Sequence, residues 1–285
     1  MSTNSSFTKD HTITDAATKK DEADTGKDAI TLTNIHFSYD KNPFIQGLSA
    51  SFKSGAVTSI VGPNGCGKST LVKIIDAILR PQKGEAQICG TPTLTMRMRE
   101  RASKLAILVQ AGHPPAMTVQ ELVSCGRFPY QQHHGGFTEE DKRLIQLAMQ
   151  ETGVKCFANK DVRQLSGGER QRAFLAMTLA QDTDIIVLDE PTTYLDIHAC
   201  HDIMQLVREL NKNMNKTFVM VIHDLDLALR YSDEILVMQA GRAIFAGDTK
   251  SKQALQALEQ AFSSHIAIAQ TEFGAVHAIF PRGKQ

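Results

Sequence analysis

Net charge is absent: the 285 residues carry 31 Lys and Arg against 31 Asp and Glu. No broad positive field is therefore available to gather nucleic acid or an anionic membrane surface, and no nucleic-acid partner is expected. Long apolar runs are missing too, since none approaches the roughly 18 residues that a membrane-spanning helix needs. The N-terminus lacks the basic-then-apolar order of a secretory signal, so a chain that stays in the cytosol is expected. The five cysteines, Cys66, Cys89, Cys125, Cys156 and Cys200, show no C-x-x-C spacing. Reduced thiols are expected, and a metal cluster is not. Large apolar side chains are nearly absent from residues 1–28, which are rich in Ser, Thr, Asp and Lys. That stretch is expected to be a disordered tail.

What is present begins at Ala29, where short apolar runs start to alternate with helical periodicity, the pattern of a sheet covered by helices. The spacing predicts strands over 30–38, 57–61, 105–109, 184–188, 217–222 and 234–238. It predicts helices over 68–79, 118–126, 138–152, 168–180, 198–213 and 224–230. The region from about 111 to 165 is mostly helical and interrupts the alternation, as an inserted subdomain would.

The segment Gly62-Pro63-Asn64-Gly65-Cys66-Gly67-Lys68-Ser69-Thr70 follows the apolar strand VTSIV and opens an apolar-periodic helix. It matches the phosphate-loop pattern in the strand-then-helix context that the pattern requires. Glycines let the backbone curl so that successive N–H groups face inward, and the following helix adds its positive end. Lys68 is expected at the β- and γ-phosphates and the Ser69 hydroxyl on Mg²⁺. Cys66 sits beside Lys68 and a helix start, which would lower its thiol pKa; the alternative is a small residue filling space. Further on, the run DIIVLDE ends in Asp189 and Glu190. Asp189 is expected to help hold Mg²⁺ and Glu190 to polarise the water that attacks the γ-phosphate.

Leu165-Ser166-Gly167-Gly168-Glu169 reads LSGGE and is followed by Arg170 and Gln171. A Ser and two glycines opening a helix make a second anion-binding terminus, because the first helical N–H groups lack partners inside the helix. With this string the chain resembles the ABC ATPase family. The resemblance runs from about Ala29 to Asp248 and implies an α/β P-loop NTPase: a RecA-like core with an antiparallel β subdomain and an inserted helical subdomain. It implies an ATPase domain over 29–264 with a C-terminal extension over 265–285, ATP and Mg²⁺ as ligands, and two copies packed head to tail with LSGGE closing over the partner's nucleotide. By the same resemblance Tyr39 matches the aromatic that stacks on adenine and Gln110 the glutamine-loop residue, a further Mg²⁺ contact. Asp196 matches the loop after the carboxylates, and His223 the switch histidine.

Within the family, QAGHPPAMTVQELVSCGRFPYQ (110–131) and LDEPTTYLDI (188–197) are similar to importers of ferric siderophores, ferric dicitrate, haem and vitamin B12, the siderophore group fitting best. That implies a peripheral subunit at the cytoplasmic face of the inner membrane, held by transmembrane permease subunits and served indirectly by an extracytoplasmic substrate-binding protein. Residues 111–131 are expected to form part of the groove for a permease helix. With 38 residues after Gly247, the C-terminal regulatory domain of sugar importers is not expected. Another cargo (haem, vitamin B12, a metal ion) or a soluble non-transport ABC ATPase remains as the alternative.

Overall fold

The computed structural model describes residues 28–109, 114–131, 136–272 and 274–281. The chain opens with β1 (Asp28–Phe37), β2 (Ile45–Lys53) and β3 (Val57–Val61), then α1 (Lys68–Ile75), β4 (Lys83–Ile88) and β5 (Thr91–Pro92). α2 (Met98–Lys104) leads directly into β6 (Leu105–Leu108). The helices α3 (Val119–Cys125), α4 (Glu139–Glu151) and α5 (Gly167–Ala180) follow. Strands and helices then alternate: β7 (Ile185–Asp189), α6 (Ile197–Met214), β8 (Thr217–Val221), α7 (Leu225–Tyr231), β9 (Glu234–Gln239), β10 (Arg242–Asp248) and α8 (Lys252–Phe262). A hairpin of β11 (Ser264–Thr271) and β12 (Gly274–Pro281) completes the described chain.

Six strands form one sheet in the order β10-β9-β3-β8-β7-β6, with neighbours parallel from β9 to β6 and only β10 antiparallel. Both faces are covered, which is why β3, β7 and β8 are buried at every position and mostly apolar rather than alternating. Ile186, Leu188, Phe218 and Met220 join the core beneath α3 to α8, whereas Ile185, Val187, Val219 and Val221 join the core shared with α1, β1 and β2. β2, β1, β4 and β5 make a second, antiparallel sheet. It is joined to the first where the Gln46 N–H donates to the Gly241 carbonyl at 2.9 Å.

The strands and helices expected from periodicity are present, with ends shifted by a few residues, except that α1 stops at Ile75 rather than continuing to 79. Ala77 turns left-handed at φ 54°, and the N–H groups of Ile78 and Leu79 fold back onto the Lys73 carbonyl, which closes the helix. Periodicity missed β2, β4, β5, β10, α2, α8 and the terminal hairpin. Gln110 lies outside the described residues, as do 111–113 of the expected groove.

Candidate functional site

Parallel order decides what meets at the site. β3, β8 and β7 are neighbours, so the residues just past their carboxyl ends converge: the Gly62–Thr70 loop, His223, and the pair Asp189 and Glu190. The loop is built on conformations and clearances that only glycine supplies. A Cβ on Gly62 would lie 2.2 Å from the Met238 carbonyl oxygen and 2.7 Å from Cys66 Sγ, and one on Gly67 would lie 2.5 Å from Ile45 Cδ1 at φ 106°. Pro63, Asn64 and Gly65 carry the turn between them.

Lys68 is buried and curls over the loop, its Nζ donating to the carbonyls of Gly62 at 2.8 Å and Pro63 at 3.2 Å. Ser69 Oγ points to Asp189 Oδ1 at 3.4 Å. Asp189 is itself buried, and burial first, then the neighbouring charge of Glu190, raises its pKa above the ordinary carboxylate range. Glu190 leaves the strand at φ 56°, its N–H donating to the Val221 carbonyl at 3.2 Å. Its side chain accepts from His223 Nε2 at 2.6 Å and from Thr193 Oγ1 at 3.0 Å. Burial works against its ionisation, but those two hydrogen bonds, helped by the charges of His223 and Lys68, bring its pKa below the ordinary value.

Lys68, Ser69, Glu190 and His223 line an open cleft of about 470 Å³ together with Phe44, Asn64, Gly65, Gly67 and Thr70, while Asp189 lines an adjoining hollow that shares Ser69 with it. Tyr39 stands at its rim, well exposed, with its hydroxyl 2.9 Å from Thr70 Oγ1 and its ring edge-on to Phe37 and Phe44. Phe44 and Thr193 were missed by the sequence reading. An aromatic shortly before a phosphate loop and a hydroxyl three residues after a strand-end acid were the available signals. Cys66 corrects an expectation: Sγ is packed beneath the loop, and burial pushes the thiol pKa up, with Lys68 and backbone hydrogen bonds offsetting only part.

A second cleft, of about 390 Å³, shares no lining residue with the first. It gathers Ser166, Gly167, Gly168 and Glu169 with Tyr194, Leu195 and Asp196. Ser166 caps α5 through a reciprocal box: its Oγ accepts from the Glu169 N–H at 3.3 Å, and Glu169 Oε2 accepts from the Ser166 N–H at 2.8 Å. Leu165, just before the cap, is buried in the core. Asp196 caps α6 by accepting from the Ala199 N–H at 2.8 Å. The segment 190–196 therefore begins in one cleft and ends in the other. Among the described residues no cluster of three or more His, Cys, Asp or Glu side chains could hold a metal by itself, and no helix is long and apolar enough to cross a membrane.

A phosphate-cradling loop opposite two strand-end carboxylates defines the class as P-loop NTPase, a nucleotide-binding ATPase. Residues 45–193 match the family model described as ABC transporter, and the chain belongs to that family. It is 39% identical over 235 residues to the iron(3+)-hydroxamate import ATP-binding protein of Bacillus subtilis, covering 82% of this chain and 87% of the relative. It is 36% identical over 251 residues to the ferric enterobactin transport ATP-binding protein of Escherichia coli, covering 88% and 93%. A solved dimeric bacterial ABC transporter cassette superposes with a TM-score of 0.67 at 29% identity, covering 78% of this chain and 99% of that one.

Proposed function

We propose that this chain is the ATP-hydrolysing subunit of an importer of ferric siderophores, working as a head-to-tail homodimer beneath a membrane permease on the cytoplasmic side. The observation that carries the hydrolytic part is the convergence of Lys68, Ser69, Glu190 and His223 on one cleft, with Asp189 reaching it through Ser69 Oγ at 3.4 Å. The cargo rests on the import proteins for iron chelates that the chain resembles along nearly its whole length.

In this reading Lys68 exchanges its two loop carbonyls for the β- and γ-phosphates, and Tyr39 and Phe44 offer aromatic surface to the base. Glu190, kept ionised by its low pKa, accepts a hydrogen bond from the attacking water and aims its lone pair at the γ-phosphorus. As the water oxygen bonds to phosphorus, the bond to the β-phosphate oxygen breaks, and the water's proton leaves with the products, ADP and phosphate. His223 exchanges Glu190 for a γ-phosphate oxygen and so fixes the line of attack. Ser69 and Asp189 fit Mg²⁺: a hydroxyl and a buried carboxylate face each other at 3.4 Å, and among the described residues no basic side chain forms an ion pair with that carboxylate. Gln110, outside the described residues, would be a further ligand. Mg²⁺ bound there would neutralise phosphate charge, and because that ion keeps waters and phosphate ligands, few protein ligands are needed.

Ser166 to Glu169, with Asp196, are read as the surface that closes over the nucleotide of the second copy. A further groove of about 650 Å³ between the sheet and the helical region, lined by Ile78, Met98, Leu105, Phe128 and Gln181, is read as the seat of a permease helix. Met98, Ile78 and Phe128 are well exposed there. A substrate-binding protein outside the membrane would deliver the chelate to the permease.

ATP hydrolysis by the parent and by Glu190→Gln, with the oligomeric state of each in ATP, tests the reading. The parent should hydrolyse ATP, and the variant should be nearly inactive and accumulate as an ATP-bound dimer. Normal turnover by Glu190→Gln would remove Glu190 from its assigned role.

A further inference from the structure

The helix that starts at Ser166 is held at its far end by a buried arginine. Arg127, at the end of α3, is almost wholly buried. Its Nε donates to Asp141 Oδ1 at 2.8 Å, and its Nη1 donates to the carbonyls of Ala180 at 3.0 Å and Gln181 at 3.3 Å. Tyr130 lies against the guanidinium, 4.1 Å from ring centroid to carbon, and its hydroxyl donates to the same Gln181 carbonyl at 2.9 Å. Asp141 is buried as well; its Oδ2 accepts from the Thr138 N–H at 2.9 Å and Oγ1 at 2.7 Å and so caps α4. One guanidinium therefore joins the end of α3, the start of α4 and the end of α5.

Stability alone does not call for a charge in this place. A buried ion pair replaced by apolar side chains of similar volume is often no less stable. What apolar packing does not supply is direction. From Ala173 onward α5 is buried nearly all round, by small and aliphatic side chains such as Ala173, Leu175, Ala176, Leu179 and Ala180. Such contacts resist removal of the helix more than sliding along its axis. Hydrogen bonds to its terminal carbonyls do set the axial position, and a cation there also complements the negative end of the helix. At 14 residues α5 spans about 21 Å, and its other end is Ser166 with the free N–H groups of Gly167 and Gly168.

We propose that Arg127 is a positioning residue for the Ser166–Glu169 terminus. Its fork sets where α5 sits along its own axis, and so how far that terminus reaches toward the nucleotide of a second copy. This rests on the reading that the terminus closes over the partner's nucleotide.

The test uses the full chain in the Glu190→Gln background, with Mg²⁺ and ATP. Three quantities are measured for each variant: the thermal midpoint, the affinity of the monomer for a fluorescent ATP analogue, and the monomer–dimer constant by analytical ultracentrifugation. Arg127→Lys keeps a cation for Asp141 but not the fork that reaches the two carbonyls. It should leave midpoint and monomer affinity close to the parent and weaken dimerisation about 10-fold or more, each tenfold being about 1.4 kcal/mol. The double variant Arg127→Met with Asp141→Asn retains the α4 cap without a stranded charge, and it should do the same if the lysine variant fails to fold. Ser166→Arg is the control and should abolish ATP-dependent dimerisation. Arg127 variants that dimerise like the parent while Ser166→Arg does not would overturn the proposal and spare the sandwich. Equal losses in monomer affinity and dimerisation would also overturn it, because they mark a general structural role. Normal dimerisation by Ser166→Arg would overturn the sandwich itself.

Discussion

Asp189 ends β7 with its side chain buried, whereas Glu190, one residue on, turns out at φ 56° to meet His223 and Thr193. Burial and the like charge of Glu190 raise the folded-state pKa of Asp189, so the fold favours its protonated form. Its ionised form at neutral pH therefore costs stability, and that cost fades as pH falls through the raised pKa. Asp189→Asn should be more stable than the parent at pH 7 while losing hydrolysis, a trade often found where a site is built for function. Unfolding by urea across a pH series should show the gain shrinking toward acid. A variant no more stable than the parent at neutral pH would mean that the carboxylate is better compensated than its burial indicates. Glu190 has the opposite sign, since its lowered pKa contributes stability above the ordinary glutamate range and loses it as pH falls through the folded value. Residue letters announced this pair because an apolar run ending in two acids is a local pattern. Letters did not announce the fate of Cys66, whose neighbours argue for a reactive thiol until its burial beneath the loop is known.

At the scale of elements, legibility followed burial. β3, β7 and β8 are buried along their whole lengths and stand out as apolar runs. β2, β4 and β10 each contain a glycine and bury only part of their side chains, so no period of two survives in them. α8 turns a face of mainly alanine to the core, and α2 has no fully buried residue. Contacts between elements were not legible either, and Gly126 is an example. Its φ is ordinary, but a Cβ there would lie 2.1 Å from the Met177 carbonyl, because the end of α3 touches the backbone of α5. Gly126→Ala should therefore cost about 2 kcal/mol or more by forcing two packed helices apart. The midpoint of urea unfolding checks this, and a loss within about 0.5 kcal/mol, typical of a surface change, would show that α3 and α5 separate easily.

For the molecule as a whole, the site could be read in parts along the chain but not as an arrangement. The phosphate loop, the paired acids and His223 are far apart in sequence, and only the strand order β3-β8-β7 brings them to one edge of the sheet. The cleft also spans both sheets: Phe44 precedes β2 of the antiparallel sheet, whereas Lys68, Glu190 and His223 stand at the carboxyl edge of the parallel one. A nucleotide bound there would touch groups that each sheet positions, so its binding energy should stabilise the two together rather than one alone. At a nucleotide concentration about 100 times the dissociation constant the gain is about 2.7 kcal/mol, provided the unfolded chain binds none. Calorimetric unfolding with ADP, which avoids turnover, should then show a single transition moved to higher temperature. Lys68→Ala should abolish the shift, since it removes the cation that the loop holds for phosphate. If ADP instead splits the transition in two, with only the later half moved, the sheets unfold independently and the nucleotide is carried by the parallel sheet alone.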